Sequence, residues 1–211
     1  MHKRIRAAEE RLSVIADGGP ATSDQAAPMQ PYEEVREFFY ARHDRLAVLD
    51  ERAEQIYAQL QSTFPPPQAP TVGNLLAALH QRMLSQHGIG VRSEPGSPAV
   101  EQPLRTYDTA SRTIVLAAGM TPGQQVFQLG IQLALFELGP MIDTFLQASD
   151  FSSDEARSLA RIGFANHVAG ALVLPNRIFL DTAEELRYDL ELLSERFGVS
   201  LETVGHRLST M

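Results

Sequence analysis

Residues 121–138 are apolar on nearly every side, and this feature constrains the fold more than any other in the chain. Thr121, Pro122 and Gln124 form the sequence pattern of a capping box with a first-position proline, which predicts the start of a helix. Because a helix that is apolar all round must be covered by other elements, we expect it at the centre of the fold. Its polar exceptions share one face of the helix: Gln125, Gln128 and Gln132.

A second long pattern, over residues 31–61, repeats mainly apolar residues at alternating spacings of four and three. The members of this seam are Val35, Phe39, Arg42, Leu46, Leu49, Ala53, Ile56 and Leu60. The spacing predicts one continuous helix that needs a partner helix, either from this chain or from a second copy. Arg42, the charged member, either fixes the register of that pairing or extends from the edge of the seam to water.

Prolines mark the best internal boundary of the chain, since residues 64–70 predict an extended linker. Beyond the linker, helical patterns surround a short region of strand-like sequence. Residues 89–94 suggest one strand, and residues 104–108 and 113–117 predict a β-hairpin. We therefore predict a mostly helical α+β structure with a small antiparallel sheet. It would consist of long N-terminal helices in residues 1–70, as an oligomerisation region, and a ligand-binding domain in residues 71–211.

Composition restricts the functions open to the chain, which has 211 residues, a net charge of −8 and no cysteine. A DNA-binding surface normally shows as a basic excess, so we expect any DNA contact to use parts outside this chain. The missing cysteines exclude disulfides, thiolate metal sites and a cysteine nucleophile. No apolar run approaches the ~20 residues of a membrane helix, and the first residues lack the apolar core of a signal peptide. These features predict a cytoplasmic protein without membrane contact.

Four segments of the second half resemble, in their order, the ImmA/IrrE-type zinc-peptidase family. They are the hairpin at 107–117, the helix at 127–136, the string at 164–175 and the tail at 190–208. The segment 164–175 is similar to the family's segment AN-x-F-A-x-x-L-L-x-P, and the matching residues are Ala165, Asn166 and residues 172–175. The resemblance implies a metallopeptidase-like fold from about residue 89 to residue 211.

The metal-binding motif of that family is replaced in this sequence. The family places HExxH on the central helix, where two histidines bind zinc and the glutamate acts on the metal-bound water. The matching positions here are Ile131, Gln132 and Leu135. Aliphatic side chains cannot bind Zn²⁺, and the later acidic ligand expected near 161–164 is missing too. We therefore predict no metal and no enzymatic activity in this segment, and a relic pocket that could take a small acyl group.

A narrower resemblance fits the whole chain, which is similar to the short-chain fatty-acyl transcriptional regulators, including the propionate-metabolism regulators of actinobacteria. The resemblance lies in residues 31–39, PYEEVREFF, and residues 49–54, LDERAE. It implies a ligand-sensing domain that binds coenzyme A or a short-chain acyl-CoA such as propionyl-CoA. It also implies a homo-oligomer, DNA binding through an N-terminal helix-turn-helix domain outside this chain, and an iron–sulfur cluster only in a C-terminal region outside it.

Two other functions stay open from the sequence. The chain could be an oligomerisation module without a ligand. It could also bind DNA directly through residues 190–208, where a helix, Gly198 and a second helix resemble a helix-turn-helix.

Coenzyme A needs cations for its phosphates, a flat ring for its adenine and a narrow slot for its pantetheine arm. The candidate phosphate contacts, each of which could instead be an exposed surface charge, are Arg6, Arg105, Arg112 and Arg177. The candidate stacking residues are Tyr40, Tyr57 and Tyr107, with His43 one turn beyond Phe39. Tyr40 and Tyr57 lie beside the seam and could instead pack in an interface.

The candidate slot for the pantetheine arm is a stripe of small residues on the helix predicted over residues 153–174. Gly163, Asn166 and Gly170 share this stripe, and His167 lies beside it. The stripe could instead allow close packing of two helices, and His167 could be a structural histidine. Gln128 and Gln132 are candidate contacts to amides of the ligand, or could bond one another, the backbone or water.

Overall fold

The structure, a computed structural model, describes residues 30–63, 71–94 and 103–209. Nine helices and three strands follow one another within these residues. The helices are α1 (Pro31–Tyr40), α2 (His43–Gln61), α3 (Val72–His87), α4 (Pro122–Glu137), α5 (Gly139–Gln147), α6 (Asp154–Val173), α7 (Asn176–Glu185), α8 (Leu190–Phe197) and α9 (Leu201–Ser209). The strands are β1 (Gly90–Glu94), β2 (Arg105–Asp108) and β3 (Thr113–Ala117). The predicted α+β, mostly helical class is confirmed.

Helix α4 lies at the centre of the fold, as its apolar surface predicts. Its capping box is present, because Thr121 Oγ1 accepts a hydrogen bond from Gln124 N at 3.3 Å while Gln124 Oε1 accepts one from Thr121 N at 2.9 Å. The backbones of α4 and α6 approach closely at Gly130, where an added Cβ would lie 3.1 Å from Ala169 Cα. This close approach makes α4 and α6 the central helix pair of the core.

The N-terminal seam forms two helices, so the prediction of one continuous helix is wrong. Arg42, with φ −130° and ψ 42°, lies outside helical geometry between α1 and α2. The break lets α1 place Phe38 and Phe39 edge-on against Phe164, at ring-centroid distances of 5.6 and 4.9 Å. The seam is buried against this chain's own helices, since α2 packs on α6 and α3.

The three strands form one sheet in the order β1-β3-β2. The hairpin is confirmed, with β2 antiparallel to β3 and Arg105 opposite Leu116. Strand β1 instead pairs parallel with β3, with Gly90 opposite Thr113, so the sheet is mixed and not purely antiparallel. Side-chain alternation identifies an extended segment but does not specify which edge of a sheet it joins, which is why the sequence did not reveal the direction of β1.

No single helix among the described residues is long and apolar enough to cross a membrane. The pair α4 and α5 meets the length and composition only when taken together, and the two helices are bent by 70° at their junction. Both helices contribute buried residues to the core, including Leu133 and Ile142.

Candidate functional site

The face of α4 that carries the altered HExxH positions meets the hairpin at two points. Arg105 of β2 donates from Nη1 to the backbone oxygen of Gln128 at 2.7 Å. Tyr107 of β2 packs edge-on against Phe136, with ring centroids 5.4 Å apart. Gln132 lies one turn after Gln128 and one turn before Phe136, and its side chain is buried. We refer to these five residues as the α4–β2 junction.

The residues present at this site do not fit a zinc ion. Ile131 is buried, Leu135 is half-buried, and neither carries a donor atom for a metal. Gln132 offers an uncharged amide where the family's motif has a carboxylate that acts as a base. Within the described ranges, no group of three or more His, Cys, Asp or Glu side chains could hold a metal ion. The groups at the junction suit hydrogen bonding and apolar contact.

Arg112 lies in the turn of the hairpin and contacts the end of α3. Its backbone is left-handed, with φ 49°. Its guanidinium donates from Nε to the oxygen of Gly88 at 3.3 Å and from Nη2 to the oxygen of His87. These contacts satisfy backbone oxygens at the C-terminus of α3, while most of the side chain stays exposed.

A cluster of charged residues, which we call the Glu137 cluster, joins α3 to the end of α4. Arg82 binds both carboxylate oxygens of Glu137, at 2.7 and 2.8 Å, and His87 Nε2 lies 2.9 Å from Glu137 Oε1. Arg82 also donates from Nη1 to Gln59 Oε1 at 3.0 Å. Burial alone would raise the pKa of Glu137, but the hydrogen bonds and charges of Arg82 and His87 outweigh it and lower the pKa.

The candidate slot on α6 is closed at one end and open at the other. Beside Gly163, an added Cβ would lie 2.6 Å from Phe39 Cε2, so the ring of Phe39 already fills this space. Beside Gly170 nothing lies within 4 Å, and Asn166 between them is half-buried. The close contact between α4 and α6 occurs at Gly130 and not along this stripe. A continuous slot from Gly163 to Gly170 is therefore not present.

His167 belongs to a buried charged group. Its Nε2 lies 3.1 Å from Asp50 Oδ1, and Arg207 Nη1 donates to the same oxygen at 3.0 Å. Arg207 is only 3% exposed and also donates from Nε to the oxygen of Leu174 at 3.2 Å. Burial would raise the pKa of Asp50, but His167 and Arg207 together lower it. We call these three residues the Asp50 cluster, and they give His167 a structural role.

The remaining candidate residues lie apart from the junction. Tyr57 is buried in the core, where burial raises its pKa, so its ring is not available for stacking on a ligand. Tyr40 is 70% exposed at the end of α1. Arg177 is exposed on α7, and its backbone N–H donates to Glu54 Oε1 at 3.4 Å. Arg6 and the side chain of His43 lie outside the described residues.

The tail has the helix, turn and helix expected from the sequence, with Gly198 left-handed at φ 65° between α8 and α9. In this arrangement Arg207 points into the protein and serves the Asp50 cluster. Because Arg207 is only 3% exposed, its guanidinium is not accessible to a DNA phosphate, so the described geometry gives the tail no added support as a DNA-reading element.

Sequence reasoning missed the Asp50 and Glu137 clusters. The sequence could have shown that Glu137 needs a cationic partner, because a carboxylate at the C-terminal end of a helix interacts unfavourably with the helix dipole. Asp50 follows the seam residue Leu49 directly, which places it at the edge of a buried face. Neither signal identifies the partners Arg82 and Arg207, since both lie on other helices.

Comparison with known proteins places these features in a family. The profile of the IrrE N-terminal-like domain, Peptidase_M78, matches residues 84–209. Two Mycobacterium tuberculosis proteins named HTH-type transcriptional regulator RamB and HTH-type transcriptional regulator PrpR are each 39% identical over the whole chain. A propionyl-CoA carboxylase regulator of Cereibacter sphaeroides is 34% identical, again over the whole chain.

A solved structure of a Mycobacterium tuberculosis transcriptional regulator is also similar, with a TM-score of 0.76 and 39% identity over 86% of this chain and 52% of that chain. The chain spans only 42–43% of the length of the three curated relatives. The profile, in contrast, covers more than half of this chain and includes the sheet, α4 and α6. The chain therefore belongs to the IrrE N-terminal-like domain family.

Proposed function

We propose that this chain is the ligand-sensing domain of a transcriptional regulator and binds coenzyme A or a short-chain acyl-CoA such as propionyl-CoA. The observation that carries the proposal is the face of α4 at the α4–β2 junction, where Gln132 and the neighbouring Ile131 and Leu135 stand at the positions of a peptidase's zinc motif. The names of the similar proteins support it, since two are HTH-type transcriptional regulators and one is a propionyl-CoA carboxylase regulator.

The buried amide of Gln132 is suited to the reactive end of such a ligand. This amide can both donate and accept hydrogen bonds, and the thioester and amide groups of an acyl-pantetheine chain can take part in them. Ile131 and Leu135, on the same side of α4, would contact a short acyl chain through apolar surface. A site of this kind recognises a thioester and has no group that would cleave it.

The sheet beside the junction carries cations suited to the phosphates of coenzyme A. Arg105 lies on β2 and Arg112 in the hairpin turn. Arg92 of β1 is level with Val115, whereas Arg105 is level with Leu116, so Arg92 points to the opposite face of the sheet and is not part of this set. Arginine binds phosphate through two parallel hydrogen bonds, and Arg105 and Arg112 come from one hairpin. Tyr107, half-buried against Phe136, would offer an aromatic ring for the adenine to stack on.

Regulation would follow from a shift in population. If the ligand binds one arrangement of the domain better than another, binding favours that arrangement by the difference in affinity. In a homo-oligomer, that shift would change the spacing of helix-turn-helix domains that lie outside this chain, and with it their fit to DNA half-sites.

Calorimetric titration with propionyl-CoA and with coenzyme A tests the proposal. We expect saturable heat for the unmodified chain and binding about tenfold weaker for Gln132→Leu, since one buried hydrogen bond is lost. Arg52→Met is the matched control, because Arg52 is an exposed arginine on α2 that donates to Gln55 of the same helix and is not among the candidate ligand contacts, so this variant should bind like the unmodified chain. No heat and no thermal stabilisation at saturating ligand would refute the proposed function.

A further inference from the structure

A continuous series of contacts leads from the α4–β2 junction to the far end of α2. It begins where Tyr107 packs edge-on against Phe136, with centroids 5.4 Å apart. Phe136 in turn stacks on His87 of α3, with centroids 5.5 Å apart and planes inclined by 30°. Because each ring of this series packs on the next, a displacement of Tyr107 changes the space available to His87.

The second half of the series is ionic. His87 Nε2 lies 2.9 Å from Glu137 Oε1, and both oxygens of Glu137 bind Arg82. The side chains of Arg82 and Glu137 are only 10% and 15% exposed, so water does not readily replace either partner. Since the guanidinium is a rigid plane, a change in the position of Glu137 also moves the nitrogen of Arg82 that points the other way.

That nitrogen, Nη1, donates to Gln59 Oε1 at 3.0 Å, in the last turn of α2. Gln59 and Arg82 line a groove of about 380 Å³ between α2 and α3, together with Ser62, Thr63, Ser85 and Gln86. The series therefore ends at a groove of mixed polar and apolar lining, which also includes Leu60 and Ala78. Four elements, β2, α4, α3 and α2, are joined by it.

We propose that this series, from Tyr107 through Phe136, His87, Glu137 and Arg82 to Gln59, transmits occupancy of the α4–β2 junction to the C-terminal end of α2. The inference rests on the proposed function for the identity of the ligand, but the coupling itself is a property of the chain. A ligand that displaces Tyr107 would shift His87 and so redistribute the hydrogen bonds of Glu137. The hydrogen bond from Arg82 to Gln59 would then change as well. The end of α2 would then differ between the bound and free domain.

Amide hydrogen exchange at residues 59–63, measured without ligand, tests the coupling directly. We expect Tyr107→Ala to change the exchange rate there by about threefold or more, which is within the range of coupling through a side-chain network. In an Arg82→Lys background, which keeps the charge but loses the planar fork, the same substitution should have no effect at these residues. Arg82→Met provides a second background if the lysine retains part of the contact.

The matched control is Arg161→Met, which removes an arginine from another carboxylate pair, with Asp143 at 2.8 Å, outside the series. In that background Tyr107→Ala should still change exchange at residues 59–63. An unchanged rate in the unmodified chain, or an equal change with and without Arg82, would overturn the coupling.

A parallel titration with propionyl-CoA separates the two proposals. Binding heat without altered exchange at residues 59–63 would count against the coupling alone. If no heat appears, the proposed ligand is wrong, while the ligand-free exchange data still decide whether the series couples its two ends.

Discussion

Asp50 of α2 and Arg207 of α9 lie 157 positions apart in the chain and form an ion pair of 3.0 Å. His167 of α6 shares the same carboxylate oxygen at 3.1 Å. The half-buried carboxylate of Asp50 therefore lies where an N-terminal helix, a central helix and the C-terminal tail meet. The arrangement ties the tail to the core through Arg207 and places an anion beside the buried ring of His167.

Asp50→Asn should destabilise the chain strongly. The substitution leaves Arg207 buried without a full charge partner, which costs about 3–5 kcal/mol in comparable pairs. Urea denaturation measures the change in the free energy of unfolding. Arg161→Met, which breaks the more exposed pair with Asp143, should cost less than about 1 kcal/mol. Equal losses of unfolding free energy in the two variants would show that the Asp50 cluster stabilises the fold no more than the exposed pair of Arg161 and Asp143.

Gly163→Ala and Gly170→Ala should change stability in opposite directions. At Gly163 the added Cβ would lie 2.6 Å from Phe39, whose ring is held against Phe164, so we expect a loss of about 1–3 kcal/mol. At Gly170 the Cβ would enter open space, and alanine should stabilise the helix by about 0.5–1 kcal/mol. Thermal unfolding of the two variants distinguishes these outcomes. Combining Gly163→Ala with Phe39→Leu should remove part of the first loss.

Arg187→Gly should stabilise the connection between α7 and α8. Arg187 and Tyr188 are consecutive left-handed residues, with φ 52° and 60°, and a side chain in this conformation costs about 1–2 kcal/mol. Glycine removes that strain but loses more conformational entropy on folding, so we expect a net gain below about 1 kcal/mol. Gly198→Ala is the opposite control, because it introduces a side chain at φ 65° and brings its Cβ within 3.2 Å of Val72. Thermal unfolding of Gly198→Ala should show a clear loss.

Stability should fall in acid because both buried clusters hold ionised carboxylates. The pKa values of Asp50 and Glu137 are lowered in the folded chain, so their contribution is complete above their ordinary values of about 3.9 and 4.3 and disappears as the pH falls through the lowered values. In Glu137→Gln the dependence of unfolding free energy on pH below about 4.3 should become shallower. The exposed Glu51→Gln should leave that dependence nearly unchanged. If unfolding free energy depended on pH in the same way in Glu137→Gln as in the unmodified chain, the stabilising role of the ionised Glu137 carboxylate would be contradicted.

The sequence was sufficient for features that depend on neighbouring residues. The capping box at Thr121 and the apolar surface of α4 placed a central helix correctly, since both follow from local hydrogen bonding and from burial on every side. The hairpin around Arg112 could also be predicted from the sequence. The same holds for the replacement of the motif's residues by Ile131, Gln132 and Leu135. These properties can be read within one or a few helical turns or strand residues.

Other features were decided only when distant segments met. The seam of residues 35–60 specified an apolar face but not the helices that cover it. The regular spacing of the seam also gave no sign of the break between α1 and α2, which accompanies the contacts of Phe38 and Phe39 with Phe164. The direction of β1, the filling of Gly163 by Phe39 and the pairing of Asp50 with Arg207 depend on the same kind of contact. A residue's own sequence neighbourhood sets its preference for helix, strand or burial, whereas its partner is set by the packing of the whole core.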